Sequence, residues 1–255
     1  MTDVPALHLW GLTKRFDRKV AVDRLSLPIP AGSFYGIVGP NGAGKTTSLN
    51  MATGLLRPDT GTAFVRGTDV WAHPSRAKPM LGVLPDGVRL FDRLTGPELV
   101  TYAGLLRGMS TEQARAHAAE LIEVLGLTEA GTALVADYSA GMTKKAALAC
   151  ALVHAPRVLV LDEPFESVDP VSAAGIRGIL EDFVSRGGTV VLSSHVMDLV
   201  QRLCSHVAVL AQGQVVAAGS MPEVRTGQDL ETRFAELVGA GSVSGGLSWL
   251  RPSSG

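Results

Sequence analysis

The chain has 255 residues, 46% of them hydrophobic, and a formal net charge of −1. That balance belongs to a globular protein with one large domain, or a core with a subdomain, and excludes a disordered chain. No basic run points to a nucleic-acid partner, and no apolar stretch reaches the roughly 18 residues that would cross a membrane.

The start, MTDVPALHLWG, lacks a signal-peptide pattern, and Cys150 and Cys204 read as separate buried thiols of a cytosolic protein. Residues 6–29 alternate apolar and polar about a turn at Asp17-Arg18, as antiparallel strands do. SFYGIV (33–38) reads as a short buried strand, and 46–56 as a helix after a Gly-rich turn. Strands are expected at 62–66 and 81–84, then a helical pattern over 96–126, with a capping-box pairing of Ser110 and Gln113 and a stop at Gly126. The continuous apolar run 158–161 marks a central parallel strand. Helix 171–185, strand 189–193, helix 196–204 and a hairpin at Gln212-Gly213 follow, and the Gly/Ser-rich end, 241–255, is expected to be a flexible tail. Strands alternating with helices predict an α/β fold with a mainly parallel sheet, an N-terminal antiparallel β subdomain and a helical subdomain at about 96–155.

Two turns lead into helices as anion sites do. Gly39-Pro40-Asn41-Gly42-Ala43-Gly44-Lys45-Thr46 fits G-x-x-x-x-G-K-[ST] between a strand and a helix, and Thr47 extends the helix start. Glycines let the backbone N–H groups curl round phosphate oxygens, Lys45 reaches the β- and γ-phosphates, and the Thr46 hydroxyl suits Mg²⁺. Tyr138-Ser139-Ala140-Gly141-Met142 is the second, weaker turn, which a plain helix N-cap by Ser139 explains equally well. RVLVLDEP (157–164) ends a buried strand in two acids: Asp162 suits Mg²⁺ through water, and Glu163 suits the orientation or deprotonation of an attacking water.

Over about residues 6–240 the chain resembles the nucleotide-binding subunit of an ATP-binding cassette (ABC) transporter, whose core is a P-loop NTPase of RecA-like fold. YSAGM resembles the family signature, ESVDP with Ser167-Val168-Asp169 the D-loop, His195 in VVLSSH the switch histidine, and Phe16 in LTKRF the aromatic that stacks on adenine. The resemblance implies an ATPase using ATP and Mg²⁺, with Glu163, His195 and Lys45 catalytic. It implies cassettes paired head to tail as homo- or heterodimers, with Ser139 and the Gly141 amide holding the partner's γ-phosphate. Two departures stand out: Asp86 replaces the family's glutamine, as a further Mg²⁺ ligand, and Ala140 replaces the first signature glycine, which is harmless if its φ stays negative.

FDRLTGPELVTYAGLLRG and LETRFAELVG resemble the bacterial drug- and antibiotic-export branch. Sugar-importer cassettes carry a further C-terminal regulatory domain, for which no room is expected after residue 240. With no membrane segment of its own, the chain is expected to borrow a membrane-spanning subunit and to lie on the cytoplasmic face of the cell membrane. Leu90, Phe91 and Tyr102 are candidates for that docking surface, or for subdomain core. A soluble ABC factor is the alternative, but it would carry tandem cassettes, a coiled-coil insertion or basic arms. A non-hydrolysing scaffold would lack Glu163.

Overall fold

The computed structural model describes residues 4–239, so the expected tail at 241–255 lies outside the described residues. In chain order, β1 (Leu7–Phe16) and β2 (Lys19–Ile29) form a hairpin whose last pair is Phe16 with Lys19, across the turn at Asp17-Arg18. Then come β3 (Phe34–Val38) and α1 (Lys45–Thr53). The helix ends three residues short of its expected stretch because Gly54 takes a left-handed φ of 81°. β4 (Thr60–Val65), β5 (Thr68–Asp69), a single turn α2 (Pro74–Ala77) and β6 (Leu81–Leu84) follow.

The expected 96–126 stretch is two helices, α3 (Gly96–Leu106) and α4 (Thr111–Val124), broken at Gly108 where φ is 83°. Ser110 does cap α4, accepting the Gln113 N–H, but the reciprocal half of the capping box is missing there. The complete box is one helix earlier, at Thr95 and Glu98. After α5 (Ala140–Leu152), β7 (Val158–Asp162), α6 (Pro170–Ser185), β8 (Thr189–Ser194) and α7 (Met197–Leu203) alternate as expected. β9 (His206–Ala211) and β10 (Gln214–Ser220) make the Gln212-Gly213 hairpin, and two helices absent from the sequence reading are the last elements among the described residues, α8 (Met221–Arg225) and α9 (Leu230–Val238). Among the described residues no helix is long and apolar enough to cross a membrane.

The strands form a four-stranded antiparallel sheet, β2-β1-β4-β5, and a six-stranded sheet, β10-β9-β3-β8-β7-β6, parallel except at β9–β10. Every residue of β3, β7 and β8 is buried, which is why those stretches are apolar runs and not alternations. Period-two geometry then splits them between two cores. Phe34, Val38, Leu159 and Leu161 pack toward α3–α7, while Tyr35, Ile37, Val158 and Val160 pack toward α1 and the antiparallel sheet. Each such side chain contributes on the order of 2 kcal/mol by leaving water. The sandwich fixes the C-terminal ends of β3 and β7 side by side across β8.

The β9–β10 turn ties the two sheets together. Gln212 and Gly213 have φ of 50° and 78°, as a two-residue hairpin turn needs. Gly213 donates its N–H to the Ala43 carbonyl and accepts the Asp23 N–H, both at 3.0 Å. A β-carbon on Gly213 would stand 2.7 Å from the Ala21 carbonyl oxygen, so the turn admits no side chain there. Away from the sheets, Cys204 is buried and Cys150 half-buried; neither is paired, and burial pushes both thiols up to about 12.

Candidate functional site

The loop between β3 and α1 is shaped by backbone that only glycine adopts cheaply. Gly42 and Gly44 have φ of 79° and 100°. A β-carbon on Gly39 would lie 2.5 Å from the Leu210 carbonyl oxygen, and one on Gly44 would lie 2.6 Å from that of Ala21. The first N–H groups of α1, at Lys45, Thr46 and Thr47, have no intrahelical acceptor and form its positive pole. Lys45, 7% exposed, bends its ammonium back to the carbonyls of Gly39 (2.7 Å) and Pro40 (3.4 Å). Curled backbone, free helix-end donors and an inward ammonium make a cradle that fits phosphate.

Across the sheet, β7 carries the acids. Asp162 is 2% exposed; its Oδ1 accepts the Ser193 hydroxyl, while its Oδ2 is buried with no partner. A buried anionic oxygen with nothing to balance it is costly, and this one fits a divalent cation. Glu163 follows with a left-handed φ of 46°, and its N–H donates to Ser193 Oγ at 3.0 Å. Its Oε2 lies 3.1 Å from Nδ1 of His195. The carboxylate side chain is 15% exposed and the imidazole 54%, so the pair sits at the mouth of a cleft and within reach of water.

That cleft, about 520 Å³, is lined by the loop residues from Gly39 to Thr46 together with Asp86, Glu163, Glu166, His195, Met197 and Phe234. Most of the sequence-predicted residues therefore converge. Asp86 is exposed at the rim, its Oδ1 accepting the Gly87 N–H at 2.7 Å. Thr47 and Asp162 do not line the cleft, although each directly adjoins a residue that does.

Others stand apart. Phe16 is 47% exposed at the β1–β2 hairpin and does not line the cleft; the Lys14 ammonium lies over its ring, 5.8 Å from the centroid. Ser139, Ala140 and Gly141 line no part of the cleft either. Ser139 caps α5 by accepting the Met142 N–H, and Ala140, the first helical residue, keeps a negative φ, so its methyl costs nothing. In the segment resembling the D-loop, Asp169 caps α6, and the Ser172 amide and hydroxyl hold its carboxyl below the usual range. Leu90 is half-buried against the core on the helical side, while Phe91 and Tyr102 remain exposed as an edge-on pair with centroids 5.7 Å apart.

Four further residues matter that sequence reading missed. Ser193 joins Asp162 to the Glu163 backbone; its place two residues before His195, at the end of a buried strand, was the available signal. Lys144 donates to the Glu163 carbonyl at 3.0 Å. Met197 and Phe234 bring α7 and α9 to the cleft, and for Phe234 the amphipathic stretch LETRFAELV was the signal.

Comparison with known proteins agrees with this geometry. The family described as ABC transporter matches residues 22–166. The daunorubicin/doxorubicin resistance ATP-binding protein DrrA of Streptomyces peucetius is 39% identical over 221 residues, covering 87% of this chain and 67% of that protein. The Nod factor export ATP-binding protein I of Mesorhizobium japonicum (strain LMG 29417 / CECT 9101 / MAFF 303099) is 34% identical over 249 residues, covering 98% and 73%. Among solved structures, a dimeric ATP-binding cassette in a post-hydrolysis state with ADP and Pi superposes with a TM-score of 0.77 at 23% identity, covering 84% of this chain and 98% of that one. With the phosphate cradle and the strand-end acids on one sheet, and relatives this similar along most of its length, the chain belongs to the ABC transporter family, as a nucleotide-binding ATPase subunit.

Proposed function

We propose that this chain hydrolyses ATP to drive export of a small, hydrophobic molecule of drug type through a separate membrane-spanning subunit. The observation that carries the reading is the convergence, in one cleft, of a complete phosphate loop and the Glu163–His195 pair, with Asp162 immediately behind Glu163 at the end of β7. Lys45 and the helix-end N–H groups hold the phosphates. Thr46, the buried unpartnered oxygen of Asp162 and the rim carboxylate of Asp86 are the residues that would hold Mg²⁺, which neutralises developing phosphate charge when bound. Glu163 accepts the proton of the attacking water, and His195 fixes its carboxylate.

Ser139 and the Gly141 amide act on a nucleotide held by a second cassette, and Phe16 stacks on adenine. Support for the first role is that the signature turn is a helix N-terminus lying outside its own chain's cleft. The exposed Phe91–Tyr102 pair is the surface offered to the membrane subunit, on the cytoplasmic face. Residues 1–240 act as one ATPase domain, with 96–155 as its helical signature-bearing part. Export is supported by the relatives' names, one a drug-resistance and one a Nod factor export protein.

The test is to purify the tagged chain from gently solubilised membranes. A stoichiometric membrane-spanning companion, and ATPase activity raised by hydrophobic drugs, are expected. Recovery of the chain free of any membrane polypeptide would overturn the transport reading.

A further inference from the structure

Glu163 sits in a left-handed backbone conformation, φ 46°, which a residue with a side chain keeps only when its surroundings hold it there. Its N–H is held by Ser193 Oγ on β8, at 3.0 Å. Its carbonyl accepts two bonds, from the Glu166 N–H at 3.2 Å and from the Lys144 ammonium at 3.0 Å. Ser193 lies in the sheet and Glu166 in the turn that follows β7, so of the three only Lys144 comes from a helix. Lys144 stands one turn into α5, the helix that begins with the signature turn.

That first turn is itself closely seated. A β-carbon on Gly141 would lie 3.1 Å from Asp169 Oδ2 and 3.2 Å from Ser172 Oγ, so α5 runs hard against the start of α6. Farther along, Ala146 to Ala149 are buried in the core, so close packing ties the two ends of α5 together. A lysine bond to a carbonyl is charge-assisted, and its flexible stem with three donors can follow an acceptor that shifts. Resting on the reading of Glu163 as the proton acceptor, we infer that Lys144 is a positioning residue. Its ammonium fixes the Glu163 peptide so that the carboxylate faces the cleft, and transmits displacement of the signature turn to this chain's own carboxylate.

Lys144→Met keeps the long apolar stem and removes the donor, whereas Lys144→Arg keeps a donor and the charge. Assayed in the chain together with its membrane subunit, Lys144→Met lowers kcat about tenfold, the order expected for loss of one charge-assisted bond, with KM for ATP near the parent value. Lys144→Arg recovers most of that loss. A KM that rises as far as kcat falls, or an arginine variant no better than methionine, overturns the inference. In a Glu163→Gln background Lys144→Met adds no further loss in single-turnover hydrolysis; a second tenfold loss there puts its action elsewhere.

Glu163→Gln alone reports on the underlying reading. If it keeps parent turnover, that reading falls; if it is inactive while Lys144→Met is unaffected, only the present inference falls. Amide exchange gives a check independent of turnover. Lys144→Met accelerates exchange at the Glu166 N–H while the phosphate loop keeps its protection, and unchanged exchange at Glu166 counts against the tether.

Discussion

The phosphate loop and the signature turn both lead into the N-terminus of a helix, α1 and α5, and they are finished very differently. The loop has two glycines at positive φ, backbone pressed against Ala21 and Leu210, and a buried lysine folded over it. It shares its cleft with Glu163 and His195. The signature turn has a serine cap, an alanine at ordinary helical φ and exposed residues at Ser139 and Ala140, and it lines none of that cleft. One turn is therefore a whole phosphate grip. The other offers only the donors of a helix end, and on our proposal it becomes a site when a second chain brings a nucleotide to it.

The sharpest way to break this contrast is to disable the chemistry beside the complete loop. Glu163→Gln keeps the shape and removes the proton acceptor, so turnover should fall by about 10²–10⁴, with nucleotide still bound and the closed pair of cassettes accumulating. Single-turnover hydrolysis alongside nucleotide binding and gel filtration checks this. Near-parent turnover would move the base elsewhere.

Next in size is complementation. Lys45→Ala and Ser139→Arg chains should each be inactive alone, and an equal mixture should regain part of the parent ATPase, since some mixed pairs hold one intact composite site. Full activity of Ser139→Arg by itself would abolish the distinction between whole and half grip.

Asp86 tests the loop's rim. Without metal its carboxylate repels the nucleotide's phosphates; with Mg²⁺ it attracts through the cation. ATP affinity of the parent should therefore depend on Mg²⁺ more steeply than that of Asp86→Gln, by on the order of tenfold across a titration. Superimposable curves would put Asp86 outside the metal's surroundings.

The smallest effect should come from making the half grip resemble the whole one. Ala140→Gly restores a glycine where none is needed, so turnover should stay at the parent level while stability drops by roughly half a kcal/mol, read as a slightly lower Tm. A large gain in turnover would mean that the turn needs a backbone alanine cannot adopt.

What the sequence disclosed follows the same division. The phosphate loop was legible because its demands are local: Gly42, Gly44 and Lys45 answer to positions a few residues apart. β7 was legible because burial on both faces leaves an unbroken apolar run. The bonds from Ser193 to Asp162 and from Lys144 to Glu163 join residues 31 and 19 positions apart, brought together by the β7–β8 register and by the seat of α5. No periodicity carries such a pairing. The break between α3 and α4 escaped because Leu105 and Leu106 keep the apolar pattern running up to it, although Gly108 marked the spot. Phe234 reaches the cleft because α9 packs against α7 and the β9–β10 hairpin, a tertiary contact that no local pattern specifies.

The hairpin turn at Gln212-Gly213 has a consequence for how tightly ATP can be held. Gly213 bonds to Ala43 in the phosphate loop and to Asp23 in the antiparallel sheet, so the loop is braced from both sheets by one residue with no side chain. A braced loop has little conformational freedom left to lose when a ligand arrives, and affinity that a floppy loop would forfeit as ordering entropy is retained. A turn far off in sequence but bonded to the loop should thus act on the dissociation constant. Loosening it should show first as faster release, because a preformed site is left at the rate at which its contacts break.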